Sequence, residues 1–354
     1  METRVQLKRQ IISIAVSLTG ILLLTWVIAA DGWLAKLYFH RWYEFISTLL
    51  RNLTGRVPFS IGDVIYCVWV VISIIFLLRC LWVLIRGRWK ELLQMTLKAA
   101  ASLLWLYFVF LLFWGGHYRR TTMVADLGFK TRDYTTADLY LLTDTLVKLV
   151  NRDYAEMEKQ PLNKEQMFRM AAVAYNDLAK SAPTLAYRHA SVKSSLFGEY
   201  LNYLGVTGYL NPFTNEAQVN TTVPPFQQPF VTCHEIAHQL GFAPEEDANF
   251  ISYLAASRVT DSRFRYAANF DMLLYSIRRL GRRNGYLARL LWEKTNPGVK
   301  DDVRKLIRFY EQYEGPVDNY SAVLYDQYLK ANLQKHGIRS YSEVIGWLMA
   351  YYKI

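Results

Sequence analysis

Apolar and polar positions divide the chain into two regimes. The first third carries three long uninterrupted apolar runs, and the rest carries shorter apolar stripes at helical spacing. Ile11–Ala30, "IISIAVSLTGILLLTWVIAA", holds no charge and is long enough to cross a bilayer as a helix. Val64–Ile85 holds one charge, Arg79, near its end, where a long side chain can reach the interface. Ala99–Trp114 is shorter and is extended by Gly115 and Gly116. Trp26, Trp33, Trp82, Trp89, Trp105 and Trp114 lie near the run ends, as an interfacial aromatic belt requires. The pattern predicts an α-helical membrane anchor over residues 1–116, with three transmembrane helices at about 11–30, 64–85 and 98–116. The first run ends in "IAAD", a weak echo of a cleavage site. Its length and the two later runs favour an uncleaved anchor.

Between the first two runs, "WLAKLYFHRWYEFISTLLRNL" is amphipathic at helical spacing, which predicts a helix lying on the membrane surface. Residues 117–354 read as a soluble, mainly helical α+β domain with a small sheet. Capped helical periodicity covers Thr136–Asn151 and Asn163–Ser181. Aromatic and β-branched residues broken by Asn, Pro and Gly predict strands with turns over Thr207–Val223. Helices are expected again over Phe226–Leu240, Ser321–Gln334 and Ser342–Tyr352.

Composition agrees with a membrane part joined to a soluble part: 52% hydrophobic and 15% aromatic, yet 20% charged. The net charge of +11 is spread along the chain without a long basic run, so nucleic acid is not an expected partner. Arg4, Lys8 and Arg9 before the first run, and Arg86, Arg88 and Lys90 after the second, orient both ends to the cytoplasm. The domain after the third run then faces the opposite side. Lys36, Arg41, Arg51, Arg56, Arg119 and Arg120 fall against that bias. Three cysteines, with no Cys-x-x-Cys pair, exclude a disulfide scaffold and a thiolate metal cluster.

The chemistry concentrates in Thr232–Phe250, "TCHEIAHQLGFAPEEDANF". On a helix, His234 and His238 share one face a turn apart and present two imidazoles to one point. Glu235 flanks that point, where a carboxylate can take a proton from a metal-activated water. The competing reading is an apolar helix with two incidental histidines, which would be costly to bury without partners. Gly241 ends the helix, Pro244 suits the first position of a new one, and one of Glu245, Glu246 or Asp247 could fold back as a third ligand.

"HEIAH" followed by "EEDANFISYLA" resembles the gluzincin metallopeptidases, whose second helix supplies a glutamate ligand in Glu-x-x-Ala-Asp or Glu-x-x-Ala-Asn. Matched residue by residue, the resemblance makes Glu245 the third zinc ligand and Asn249 its support one turn on. Glu246 and Asp247 would be solvated charges at a helix N-terminus. Six residues separate His238 from Glu245, fewer than in most gluzincins. Pro244 stands where a metzincin would place its third ligand. Over nearly its whole length the chain also resembles a bacterial membrane family of unknown function, read at most as zinc metallopeptidases.

The expectation is therefore a gluzincin-like zinc hydrolase, cleaving peptide or protein substrates with one Zn2+ per chain. Its metal ligands would be His234, His238 and Glu245, and Glu235 its catalytic base. It would sit in a bacterial cytoplasmic (inner) membrane with the C-terminal domain on the periplasmic or extracellular side; the reverse topology is the alternative. Tyr209–Val219 could hold a substrate strand or be a structural hairpin. Tyr253, Tyr325, Tyr328, His189 and His336 are candidates for an oxyanion donor, and Cys233 is expected to pack. The rival function is a non-catalytic receptor or envelope assembly factor whose metal staples two helices, with Asp247 or a downstream His as fourth ligand. Neither reading specifies an oligomeric state.

Overall fold

Three helices in the first third are long and apolar enough to cross a bilayer: α1 (Glu2–Ala29), α3 (Ile61–Ile85) and α4 (Trp89–Phe113). The computed structural model describes residues 2–30, 32–119, 127–130, 133–158, 160–316 and 344–354, with residues 124, 320, 323, 324, 326 and 327. The third helix starts at Trp89 instead of residue 98, because helical hydrogen bonding runs on into the polar stretch that hydropathy leaves out. There Glu91 pairs with Arg88 at 2.7 Å and with Arg79 of α3 at 3.6 Å, bracing the α3–α4 turn. Helices α1 and α4 pack together, and Trp105 donates to Ser13 Oγ across them at 3.0 Å.

The connection between α1 and α3 holds α2 (Tyr43–Thr54), which continues from a short α-helical segment at Trp33–Leu37 and a π-helical turn at Tyr38–Trp42. The sequence predicts a helix resting on the membrane; in the structure one side of α2 docks on the rest of the protein. Tyr43, Ile46, Ser47, Arg51 and Thr54 are buried, while Phe45, Leu49 and Leu53 form an exposed stripe at i, i+4, i+8 on the other side.

Beyond residue 117 the chain is mainly helical. Helices α5 (Thr136–Glu156), α6 (Lys164–Leu178), α7 (Gln228–Gln239), α8 (Glu245–Ala256), α9 (Ser262–Arg283) and α12 (Val344–Tyr352) surround one core that includes Leu142, Leu146, Phe250, Phe270 and Leu348. Helices α10 (Gly285–Glu293) and α11 (Pro297–Glu311) follow α9, and short helical turns lie at Pro183–Leu185 and Gly198–Asn202. A capping box starts α5: the Thr135 hydroxyl accepts from Asp138 N–H, and the Asp138 carboxylate accepts from Thr135 N–H.

The predicted hairpin is β2 (Gly208–Asn211) and β3 (Glu216–Val219), antiparallel. A third strand, β1 (Val192–Ser194), pairs parallel with β3, giving the order β1-β3-β2. At three residues, "VKS" is too short to announce itself by alternation. The helix expected over Ser321–Gln334 falls largely outside the described residues, as do Arg120, Tyr325, Tyr328 and His336.

Contacts cross the boundary placed between residues 116 and 117. The Glu216 carboxylate of β3 accepts from Ile61 N–H at 3.1 Å and Gly62 N–H at 2.6 Å, so the sheet caps the first turn of α3. Asp63, one residue on, accepts from Leu196 N–H at 2.6 Å and from the Tyr209 hydroxyl.

Candidate metal centre

Helix α7 carries the two histidines, and all of its residues are buried. Pro229 suits its first turn, and Gln228 ties that end to the carbonyls of Thr221 and Val223. The His234 and His238 rings stand 4.6 Å apart and nearly perpendicular, as i, i+4 spacing requires. The helix ends in a Schellman turn: Gly241 adopts φ +93°, its N–H reaches His238 O, and Phe242 N–H reaches Ala237 O. That turn brings the Phe242 carbonyl to 2.7 Å from His238 Nδ1. A proton held there leaves the Nε2 lone pair free for a metal.

Four residues past Gly241, Glu245 opens α8 in the first turn, where helix N–H groups favour an acid. Pro244 is the N-cap, one position earlier than the sequence predicts. Glu245 Oε2 lies 3.1 Å from His234 Nε2 and 3.6 Å from His238 Nε2. One ligand atom from each of these three residues falls within 4.8 Å of the others. Two imidazole nitrogens and one carboxylate oxygen make a donor set that suits zinc. Among the described residues no fourth His, Cys, Asp or Glu joins the group.

Burial and mutual charge govern the titration of this cluster. Burial alone would lower the His238 pKa, but the Glu245 carboxylate outweighs it and the imidazole is pushed up to about 9. Burial would raise Glu245, yet the two histidines hold its carboxyl well below the usual range. Glu235 is buried beside them; desolvation pushes it up to about 7 against the opposing pull of both histidines. Its Oε2 accepts no hydrogen bond among the described residues. Strand β2 lies against it, and a Cβ at Gly208 would stand 2.6 Å from Glu235 Oε1.

The remaining sequence candidates divide. Asn249 is buried one turn after Glu245. Asp247 is buried as well, not solvated as the resemblance implied, because α8 packs on three sides. Tyr253 is a core residue whose hydroxyl bonds to Asn269 and Tyr352, so it is no candidate oxyanion donor. His189 is exposed, and Cys233 is fully buried.

Two residues that no motif marks stand near the centre on α9. Asp271 is pushed up to about 7 by burial, with Gln227 and His234 opposing the shift. Tyr275, one turn on, is pushed up by burial first and then by the charges of Asp271 and Glu245. Both are within electrostatic reach of the ligands, and only the packing of α9 against α7 and α8 brings them there.

The C-terminal end of α7 is held by the membrane-side residues. Trp114, the residue after α4, donates Nε1–H to the His238 carbonyl at 3.2 Å. Tyr43 donates its hydroxyl to Gln239 O at 2.9 Å, and Arg51 donates to the same oxygen at 3.1 Å. Trp114 is thus buried against the domain, where the belt reading placed it at the membrane–water interface. The Arg51 guanidinium also puts a positive charge at the helix end that favours one.

No curated protein and no solved structure matches the chain. The model of a family of proteins of unknown function, DUF3810, matches residues 38–349, and the chain belongs to that family.

Proposed function

We propose that the protein is a membrane-anchored, zinc-dependent hydrolase of gluzincin type that cleaves peptide bonds. One observation carries the reading: the convergence of His234, His238 and Glu245 beside a buried carboxylate, Glu235, that has no hydrogen bond on Oε2. Three protein ligands favour a catalytic site over a closed structural one. When bound, zinc would polarise the substrate carbonyl and make a water molecule acidic near neutral pH. Glu235 takes a proton from the attacking water as the C–O bond forms and then gives it to the amine nitrogen, which leaves as the C–N bond breaks. His238, its Nδ1 proton engaged by Phe242 O, and Glu245, set at a helix start, hold the ligand geometry through the reaction.

Strand β2 supports a peptide substrate. Asn220 N–H bonds to Thr207 O, and the alternation of an antiparallel pair then turns the N–H and C=O groups of Gly208 and Leu210 away from β3. An extended peptide could add there as a further strand beside Glu235. The distribution of Arg and Lys favours a domain outside the cytoplasm, on the periplasmic or extracellular face of a bacterial inner membrane.

The test is zinc content per chain in detergent-purified protein, beside peptide hydrolysis. Native protein should hold one zinc; His238→Ala and Glu245→Ala should lose it; Glu235→Gln should keep it and be inactive. A native protein that takes up no zinc, or an active Glu235→Gln variant, sinks the proposal.

A further inference from the structure

Strand β2 connects the metal centre to the level of the bilayer. At its start, Gly208 touches Glu235. Just beyond its end, Phe213 packs edge-on against Trp69 of α3, ring centroids 5.1 Å apart. Trp69 lies two turns into that helix, roughly 12 Å along its axis at 1.5 Å per residue. Tyr209 stacks on Tyr66 and bonds to Asp63, so the strand is fastened to α3 along its length. Helix α3 has 25 residues, about 37 Å, against a hydrocarbon thickness of about 30 Å. At most about 7 Å of this helix extends beyond the hydrocarbon, so Trp69 and the Phe213 ring reach just inside the boundary. Tyr66, three residues earlier, holds Tyr209 within about 5 Å of that depth along the helix, and Gly208 precedes Phe213 by five residues of chain.

The surroundings agree with that depth. Phe45, Leu49 and Leu53 on α2, and Phe59 just before α3, are exposed large hydrophobic side chains. Leu196 is 56% exposed although its N–H bonds to Asp63 in the first turn of α3. An apolar rim continuous with three lipid-crossing helices matches a bilayer surface. Trp114, which holds the His238 carbonyl, follows α4 directly, so a second helix end reaches the centre without a spacer.

We infer that the substrate is a polypeptide tethered to the same membrane, cleaved in the extended segment next to its anchor. This rests on the peptidase reading and adds a position to it. The segment pairs with the open edge of β2, its anchored end at the Phe213 level and its scissile bond at the Gly208–Glu235 level. The length of β2 then sets how many residues from its anchor the substrate is cut.

The experiment uses full-length zinc-loaded protein in phosphatidylethanolamine/phosphatidylglycerol liposomes. The probes are a degenerate peptide mixture carried on an apolar helical anchor, with spacers of increasing length, and the same mixture free in solution. Cleavage is mapped by mass spectrometry beside Glu235→Gln. The expected result is cleavage about four to eight residues from the anchor whatever the spacer length, at least tenfold faster than for free peptide. Cuts that move outward with spacer length, or free peptide cut equally well, overturn the inference and leave the peptidase reading intact. Release of lipid acyl chains in place of peptide fragments also overturns it.

A second measurement does not need turnover. Cobalt-loaded protein in the same liposomes should speed 31P relaxation of the headgroups relative to zinc-loaded protein. No enhancement places the centre away from the membrane and overturns the inference. Failure of native protein to bind either metal counts against the peptidase reading itself, and the inference falls with it.

Discussion

The Trp114 indole donates to the carbonyl of His238, joining the residue that follows a helix long and apolar enough to cross a bilayer to a residue of the candidate metal centre 124 positions later. With Tyr43 and Arg51 on the neighbouring carbonyl, the last turn of α7 is completed by the first third of the chain. Trp114→Phe keeps the ring and deletes the donor. It should cost roughly 1 kcal/mol of stability and weaken zinc binding several-fold. Thermal unfolding in detergent, with chelator competition for zinc, checks both.

Gly241 is needed twice over. Its φ of +93° is one that L side chains rarely adopt, and a Cβ there would stand 2.7 Å from the His117 ring. Gly241→Ala should destabilise by about 1–3 kcal/mol. By moving the Phe242 carbonyl off His238 Nδ1, it should also lower zinc affinity by about tenfold or more. A variant with native zinc affinity would show that this carbonyl does not position the imidazole.

Gly208→Ala separates metal binding from catalysis. The new methyl would meet Glu235 Oε1 at 2.6 Å and the Gln218 carbonyl at 2.9 Å, so β2 or the Glu235 side chain must shift. Zinc content should be unchanged, because no ligand is touched, while peptide hydrolysis drops by about a hundredfold or more. Normal hydrolysis would mean that the strand does not border the reacting groups.

Zinc affinity should depend steeply on pH. In the metal-free protein His238 is raised from an ordinary 6.5 to about 9, so near neutrality zinc must displace its proton. Affinity should climb about tenfold per pH unit up to about pH 9 and then level off. The linkage has a matching sign for stability. The His238–Glu245 attraction is fully present below about 6.5 and is lost as pH rises through about 9, in metal-free protein only. Isothermal titration across pH 6–10, with unfolding of chelated and zinc-loaded samples, tests both slopes.

Sequence alone determined the features that depend on neighbours in the chain. Uninterrupted hydropathy marked the three helices long and apolar enough to cross a bilayer, although it missed the polar start of α4 at Trp89, where hydrogen bonding and not hydropathy sets the end. Alternation and turn residues marked the β2–β3 hairpin, and i, i+4 spacing put His234 and His238 on one face. These are effects of a few residues' range, and a few residues suffice to read them.

Tertiary structure decided what stands around those elements. A local pattern cannot say that Glu245, and not the neighbouring acids, meets both histidines, because the angle between two packed helices sets that. Nor can it say that Asp247 is buried, that Tyr253 belongs to the core, or that Asp271 and Tyr275 approach from α9. The amphipathic pattern of α2 was legible, but its docking on the domain was not. Tyr43 reaches Gln239 across 196 residues of chain, a contact determined by how the anchor and the domain pack and encoded in no short stretch of either.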